Sequence, residues 1–113
     1  MDELRELGED AAVSWWAERF ARIAALEDVE ARADAILAGW RAASALDPEE
    51  RRRVTRARMR AAMALPAAAR DAVFAARRAA AAREPELAAD DTRLTDELAP
   101  TIPGAEAFRP MTR

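Results

Sequence analysis

The arginines in the middle of the chain are the side chains best suited to recognition chemistry. Arg52, Arg56 and Arg60 are one helical turn apart on a single face. Met59 and Met63 lie alongside them. A guanidinium binds carboxylates and phosphates through several N–H donors, and both Arg and Met are enriched at protein interfaces. We therefore predict that these five residues form a docking surface for an acidic protein partner.

This arginine face belongs to a basic segment between two acidic ones. Residues 51–83 contain ten arginines and a single acid, whereas residues 1–50 and 84–113 carry net charges of −8 and −4. One interpretation is that the arginines pair with acids of the same fold. Three acids of the second predicted helix suit such pairing: Glu27, Glu30 and Asp34. A second interpretation is that the arginines bind an acidic protein partner. A third, which is the alternative function, is that they bind the phosphates of DNA or RNA. The overall charge of −3 and the acidic flanks weigh against nucleic acid.

The residue types that the chain lacks limit its catalytic chemistry. There is no His, Cys, Lys or Tyr, so imidazole and thiolate chemistry, Schiff bases and the usual zinc sites are excluded. Carboxylates acting with a bound cation are the remaining enzymatic possibility. We predict that the chain is not an enzyme, with no catalytic, cofactor-binding or metal-ligating residues.

Two aromatic residues are further candidates for partner contact. Trp15 lies at the edge of an apolar helical stripe, next to arginines, as interface anchors often do. Phe108 lies in a Pro-rich C-terminal segment that is suited to docking as a short peptide. The alternative is that another helix or the tail covers Trp15, with Ile102 and Phe108 as lids, or that the tail is disordered.

Helices must position all of these residues, because no stretch alternates as a strand does. Asp47-Pro48-Glu49-Glu50 is the clearest helix start, with an N-cap, a Pro at N1 and a capping box. The predicted helices cover about 10–25, from near Asp28 through Trp40, 48–64, 67–83 and a short 92–98. The buried face of the second comprises Val29, Ala33, Ile36, Leu37 and Trp40. We predict an all-α fold: a small antiparallel bundle over 1–99, four helices plus a short fifth, and an extended Pro-rich tail over 100–113.

A short repeat covers the third and fourth predicted helices. The pattern that begins at Leu46 recurs nineteen residues later at Leu65 and gives both helices a narrow Val-Ala-Ala stripe. Chance similarity within an Ala- and Arg-rich chain is the alternative explanation. Small residues let helices approach closely, so the stripes favour packing of these two helices as an antiparallel pair. Pro66 leaves open whether they form a hairpin or one kinked helix.

The composition predicts where the protein works and why it needs a partner. Alanine supplies more than half of the hydrophobic residues, so the core is thin for 113 residues. The chain begins with acidic residues and has no long apolar run, which predicts a cytoplasmic protein without a membrane segment or secretory signal. We predict a non-catalytic accessory or regulatory subunit that binds a protein partner or self-associates.

Overall fold

The computed structural model describes residues 8–105, which form an all-α bundle with no strand among them. The five helices and one 3₁₀ turn are α1 Glu9–Ala25, α2 Val29–Ser44, α3 Pro48–Ala64, α4 Ala67–Arg83, α5 Pro85–Leu98 and η1 Ala99–Thr101. The predicted all-α helical bundle is therefore confirmed. No helix within 8–105 is both long enough and apolar enough to cross a membrane.

Two side-chain caps fix helix starts that the sequence predicts. The Asp47 carboxylate accepts a hydrogen bond from the backbone N–H of Glu50 at 2.9 Å, with Pro48 in the first turn. The Asp28 carboxylate accepts one from the backbone N–H of Glu30 at 3.0 Å. Each satisfies a donor that a helix N-terminus otherwise leaves unpaired.

Pro66 separates α3 from α4 completely. Leu65 and Pro66 are extended, with ψ of 148° and 150°, so the two helices are distinct. The predicted close pairing of these helices is wrong, because α3 packs mainly on α1 and α4 mainly on α2, and α3 and α4 touch each other little. The alanine stripes instead lie in the common core with the bulky side chains of α1 and α2.

The repeat corresponds to a structural equivalence between α3 and α4. Its Val and Ala positions are buried in both copies: Val54 and Val73, Ala57 and Ala76, Ala61 and Ala80. The two helices therefore bury the same three repeat positions, as an apolar stripe on each helix predicts.

Two predicted features of the helices are wrong. The last helix starts at Pro85, not near 92, because the proline serves as a first-turn residue and not as a breaker. Val29 is 57% exposed, because it is the first residue of α2, beside the turn from α1, where Leu26 is exposed as well. The other four residues of the predicted α2 face are buried: Ala33, Ile36, Leu37 and Trp40.

The chain after α5 folds back onto α3. Residues 99–105, here called the C-terminal strap, bury Ala99, Ile102 and Ala105 against Met59 and Met63. Ile102 therefore covers the two methionines, whereas the sequence offered it as a possible lid on Trp15. The rest of the predicted tail, with Phe108, lies outside the described residues.

Candidate functional site

Three buried charged side chains meet between α3, α4 and α5. The carboxylate of Asp91 accepts hydrogen bonds from Nη2 of Arg58 and, at 2.8 Å, from Nη2 of Arg77. The side chains of Arg58, Arg77 and Asp91 are only 6%, 12% and 7% exposed. One carboxylate therefore holds two guanidinium groups inside the protein, which leaves one positive charge in excess.

The repeat positions the two arginines. Arg58 follows buried Ala57 in the first copy, and Arg77 follows buried Ala76 in the second. Both positions lie at the edge of the inward-facing stripe, so both side chains are directed into the protein. α5 packs against both helices and brings Asp91 to the point where the guanidinium groups converge.

A tryptophan covers each arginine. The guanidinium carbon of Arg58 lies 6.0 Å from the ring centroid of Trp16 on α1, and that of Arg77 lies 5.6 Å from the ring centroid of Trp40 on α2. Such cation–π contacts are attractive and strengthen where water is excluded. The cluster thus ties all five helices together.

The charges of the cluster hold Asp91 ionised in spite of its burial. Burial by itself raises the pKa of Asp91, but the charges and hydrogen bonds of Arg58 and Arg77 outweigh it and lower the pKa below that of an ordinary aspartate. Burial also lowers the pKa of Arg77, an effect that Asp91 opposes and the neighbouring Arg58 reinforces. Asp91 is committed to two guanidinium groups, so its geometry suits charge balance and not proton transfer.

An apolar cavity of about 60 Å³ adjoins the cluster. Both arginines and both tryptophans line it, together with Arg19 and Asp96. Most of the remaining wall is hydrophobic: Phe20, Ile23, Ala35, Ile36, Met59, Ala62, Met63, Val73, Phe74, Ala99 and Ala105. The cavity lining therefore combines a mostly hydrophobic wall with a few charged side chains.

Several buried donors of the lining residues have no acceptor among the described residues. They are Nε of Arg58, Nε of Arg77 and Nε1 of Trp16. Counting the wall and the cluster together, three arginines face two carboxylates, Asp91 and Asp96. Positive charge in excess and unpaired N–H groups are what an anion requires.

The arginine face predicted from the sequence is paired within the molecule. Arg52 donates to Glu97 on α5. Nε of Arg56 lies 3.0 Å from Oε1 of Glu9, and Nη1 of Arg60 donates to Oε2 of the same carboxylate at 2.6 Å. All three side chains stay partly exposed. The surface is thus a set of ion pairs that join α3 to α1 and α5.

Acids of α2 also pair as the sequence suggested. Nη2 of Arg83 donates to Asp34 at 2.6 Å, and its Nη1 lies 3.7 Å from Glu30. Pairing within the fold is the first of the three interpretations of the basic segment. It accounts for four of the arginines: Arg52, Arg56, Arg60 and Arg83.

The remaining predicted contact residues lie in different surroundings. Met59 and Met63 pack beneath the C-terminal strap and line the cavity. Trp15 is half-buried, with its ring edge-to-face on Trp16 at a centroid distance of 5.1 Å and the guanidinium carbon of Arg19 at 5.6 Å from its ring centroid. Trp15 lies on α1, whereas the arginine face lies on α3.

Sequence reasoning missed the buried cluster, although one signal pointed to it. Both copies of the repeat carry an arginine directly after a stripe alanine, and an arginine that recurs beside a buried stripe is a candidate for burial. No local pattern indicates Asp91, because it lies on the helix whose start was placed seven residues too late.

The fold and site define an all-α bundle with a charged cluster beside an apolar cavity. No group of three or more metal-ligating side chains gathers within residues 8–105. Comparison with known protein families, curated proteins and solved structures finds no match.

Proposed function

We propose that this chain is a non-catalytic binding module whose cavity takes up a small monoanion. The observation that carries the proposal is the excess positive charge beside unpaired N–H donors in the lining of an apolar cavity. Pockets of this kind, mostly apolar with a few convergent polar groups, are typical of small-molecule sites.

The charge balance favours an anion over a neutral or cationic ligand. Asp91 neutralises one of its two arginines, and Arg19 and Asp96, which both line the cavity, carry opposite charges. Among these five described residues the sum is one positive charge, in surroundings where charges interact strongly. A single negative charge on the ligand completes this balance, and Nε–H of Arg58 and Nε1–H of Trp16 would donate to it.

Stability alone gives little reason for such a cluster. Well-packed apolar side chains often stabilise a core as much as a buried ion pair does, or more. The second arginine joins α4 and Trp40 to the cluster. Its charge, which Asp91 does not neutralise, is what a bound anion would use.

The test is a titration of the full chain with butyrate, followed by the NMR signals of the Trp16 indole N–H and the arginine Nε–H groups. Butyramide and butylammonium serve as neutral and cationic controls of similar shape. We expect saturable shifts with butyrate only. Absence of a shift, or equal binding of butyramide, would refute the proposal.

A matched pair of variants separates the cluster from the surface. Arg58→Met leaves Asp91 paired with Arg77, so the fold retains a neutral pair, and we expect butyrate to bind at least tenfold more weakly. Arg52→Met removes an arginine of the same helix that pairs at the surface with Glu97, and we expect unchanged binding. Equal effects of the two changes would contradict a site at the cluster.

Docking of an acidic protein segment on the arginine face is the second proposal. The favouring observation is that the ion pairs of Arg52, Arg56 and Arg60 are partly exposed, and exposed pairs contribute only about 0–1 kcal/mol. A partner's carboxylates could therefore replace Glu97 and Glu9 at low cost. Glu97→Gln should tighten binding of a polyglutamate peptide; unchanged binding would count against this surface.

A further inference from the structure

We infer that the ligand is a monocarboxylate with a linear alkyl chain, whose tail displaces the C-terminal strap from Met59 and Met63. This inference rests on the proposed function and adds the chemical class of the ligand and the way it gains access. The carboxylate head would lie at Arg58 and Trp16, and the tail would leave the cavity between α3 and the strap.

The strap forms one wall of the cavity. Ala99 and Ala105 line it, as do the two methionines on which the strap packs. The apolar residues of the strap form a small hydrophobic cluster separate from the main core of the bundle. Displacing the strap therefore opens the cavity without disturbing the packing of the main core.

The strap is held to the bundle by few polar contacts. Its backbone bonds are local, from Ile102 N to Ala99 O at 3.0 Å and from Ala105 N to Ile102 O at 3.2 Å. A guanidinium nitrogen of Arg56 reaches the carbonyl oxygen of Thr101 at 3.3 Å, which is a long hydrogen bond. The strap is therefore held mainly by the burial of Ala99, Ile102 and Ala105, and an alkyl chain that takes over this burial would displace it.

The cavity holds only a small ligand at its present volume. Its volume of about 60 Å³ is less than half of the roughly 150 Å³ of an apolar cavity that takes up benzene. A carboxylate head fits this space, and a longer chain extends beyond it. The tail of the ligand would leave the cavity over Met59 and Met63, whose flexible side chains adapt readily to alkyl surfaces.

An alkyl tail would replace the aliphatic contacts of the strap with contacts of the same kind. Ile102 and Ala105 now cover the methionines with aliphatic groups, and a methylene chain offers the same chemistry. Each methylene that is transferred from water raises affinity by about fourfold. We expect this gain to appear along a series from butyrate to octanoate, once the chain is long enough to displace the strap.

The experiment measures binding by calorimetry and strap opening by hydrogen–deuterium exchange on the full chain. The ligands are acetate, butyrate, hexanoate and octanoate, with octanol as the uncharged control. We expect affinity to rise about fourfold per methylene, faster amide exchange in residues 99–105 with hexanoate and octanoate, and no change in exchange with acetate.

A pair of truncations tests the competition between strap and tail. Ile102→Ala removes the main contact of the strap, so octanoate should bind severalfold more tightly while acetate binding stays the same. Val29→Ala truncates an exposed apolar residue far along the chain from the strap and should change neither.

The outcomes distinguish this inference from the proposed function. If short carboxylates bind but affinity does not rise with chain length, or if exchange in the strap does not change, the alkyl-chain inference fails and the anion site stands. If no carboxylate binds, both fail. If octanol binds as well as octanoate, the cavity takes up apolar chains without using the cluster, and both are overturned.

Discussion

Replacing Asp91 with Asn is the most direct test of the buried cluster. The amide keeps the shape of the side chain but removes the only charge that balances Arg58 and Arg77 within the cluster. Removing one partner from a buried ion pair typically costs about 3–5 kcal/mol. For a domain of this size, a loss of about 3 kcal/mol lowers the melting temperature by roughly 12 °C. We expect a drop of at least this amount.

Urea denaturation, followed by circular dichroism and tryptophan fluorescence, measures this loss, and Asp90→Asn is the control. Asp90 is the neighbouring residue, and it pairs with Arg93 at 3.1 Å on the exposed side of α5. Its replacement should change the free energy of unfolding by less than about 0.5 kcal/mol. A loss below 1 kcal/mol for Asp91→Asn, or equal losses for both variants, would refute the account of the cluster.

The pH dependence of stability provides a second test of the cluster, with a predicted direction. The folded-state pKa of Asp91 is lowered, because the arginine charges outweigh the effect of burial. Its stabilising contribution is therefore complete above the unfolded-state pKa of about 3.9 and is lost as the pH falls through the lower folded-state pKa. The gap in stability between the wild type and Asp91→Asn should be full at neutral pH and narrow in acid. A gap that widens in acid would contradict this sign.

Three further changes test the elements that support the site. Asp47→Ala should cost about 1 kcal/mol in urea denaturation, because the cap of α3 is lost; no loss would mean that the cap is replaced by solvent. Ala57→Leu, at a position with no exposed surface, should cost about 1–3 kcal/mol through overpacking, whereas Ala68→Leu at an exposed position should be nearly neutral. Gly104→Ala places a Cβ on backbone with φ of +83°, 3.4 Å from Cε of Met63, so amide exchange of the strap should accelerate; unchanged exchange would show that the turn tolerates a side chain.

Local signals in the sequence predicted the parts of the fold that local physics decides. The helix start near Asp28, the cap at Asp47 and the break at Pro66 depend on a few neighbouring residues, and the structure has helix boundaries at all three. Val29 was misplaced because periodicity assigns a residue to a face but does not tell whether the bundle extends that far. The choice of α1 and α2 as neighbours of the alanine stripes depends on tertiary packing, which periodicity does not encode.

The candidate site also depends on packing that local sequence patterns do not encode. A charge count along the chain treats every arginine of the basic segment alike, yet Arg52 stays partly exposed and Arg58 is buried. The difference follows from helical phase: position 58 adjoins the alanine stripe and position 52 does not. Asp91 enters the site only because α5 crosses both α3 and α4, and that depends on contacts between residues far apart in sequence.

The repeat and the charge segregation, taken together, have one explanation in the structure. Two equivalent helices each direct an arginine inward, and each arginine lies against a tryptophan of a different helix. Because a single acid lies between them, the two arginines cannot both be neutralised, and the excess charge lies where the cavity begins. At the surface one carboxylate also receives two arginines, since Glu9 pairs with both Arg56 and Arg60, but solvent and salt screen an excess charge there far more than inside the protein. The buried position of the excess charge is therefore the feature on which the proposed anion site depends.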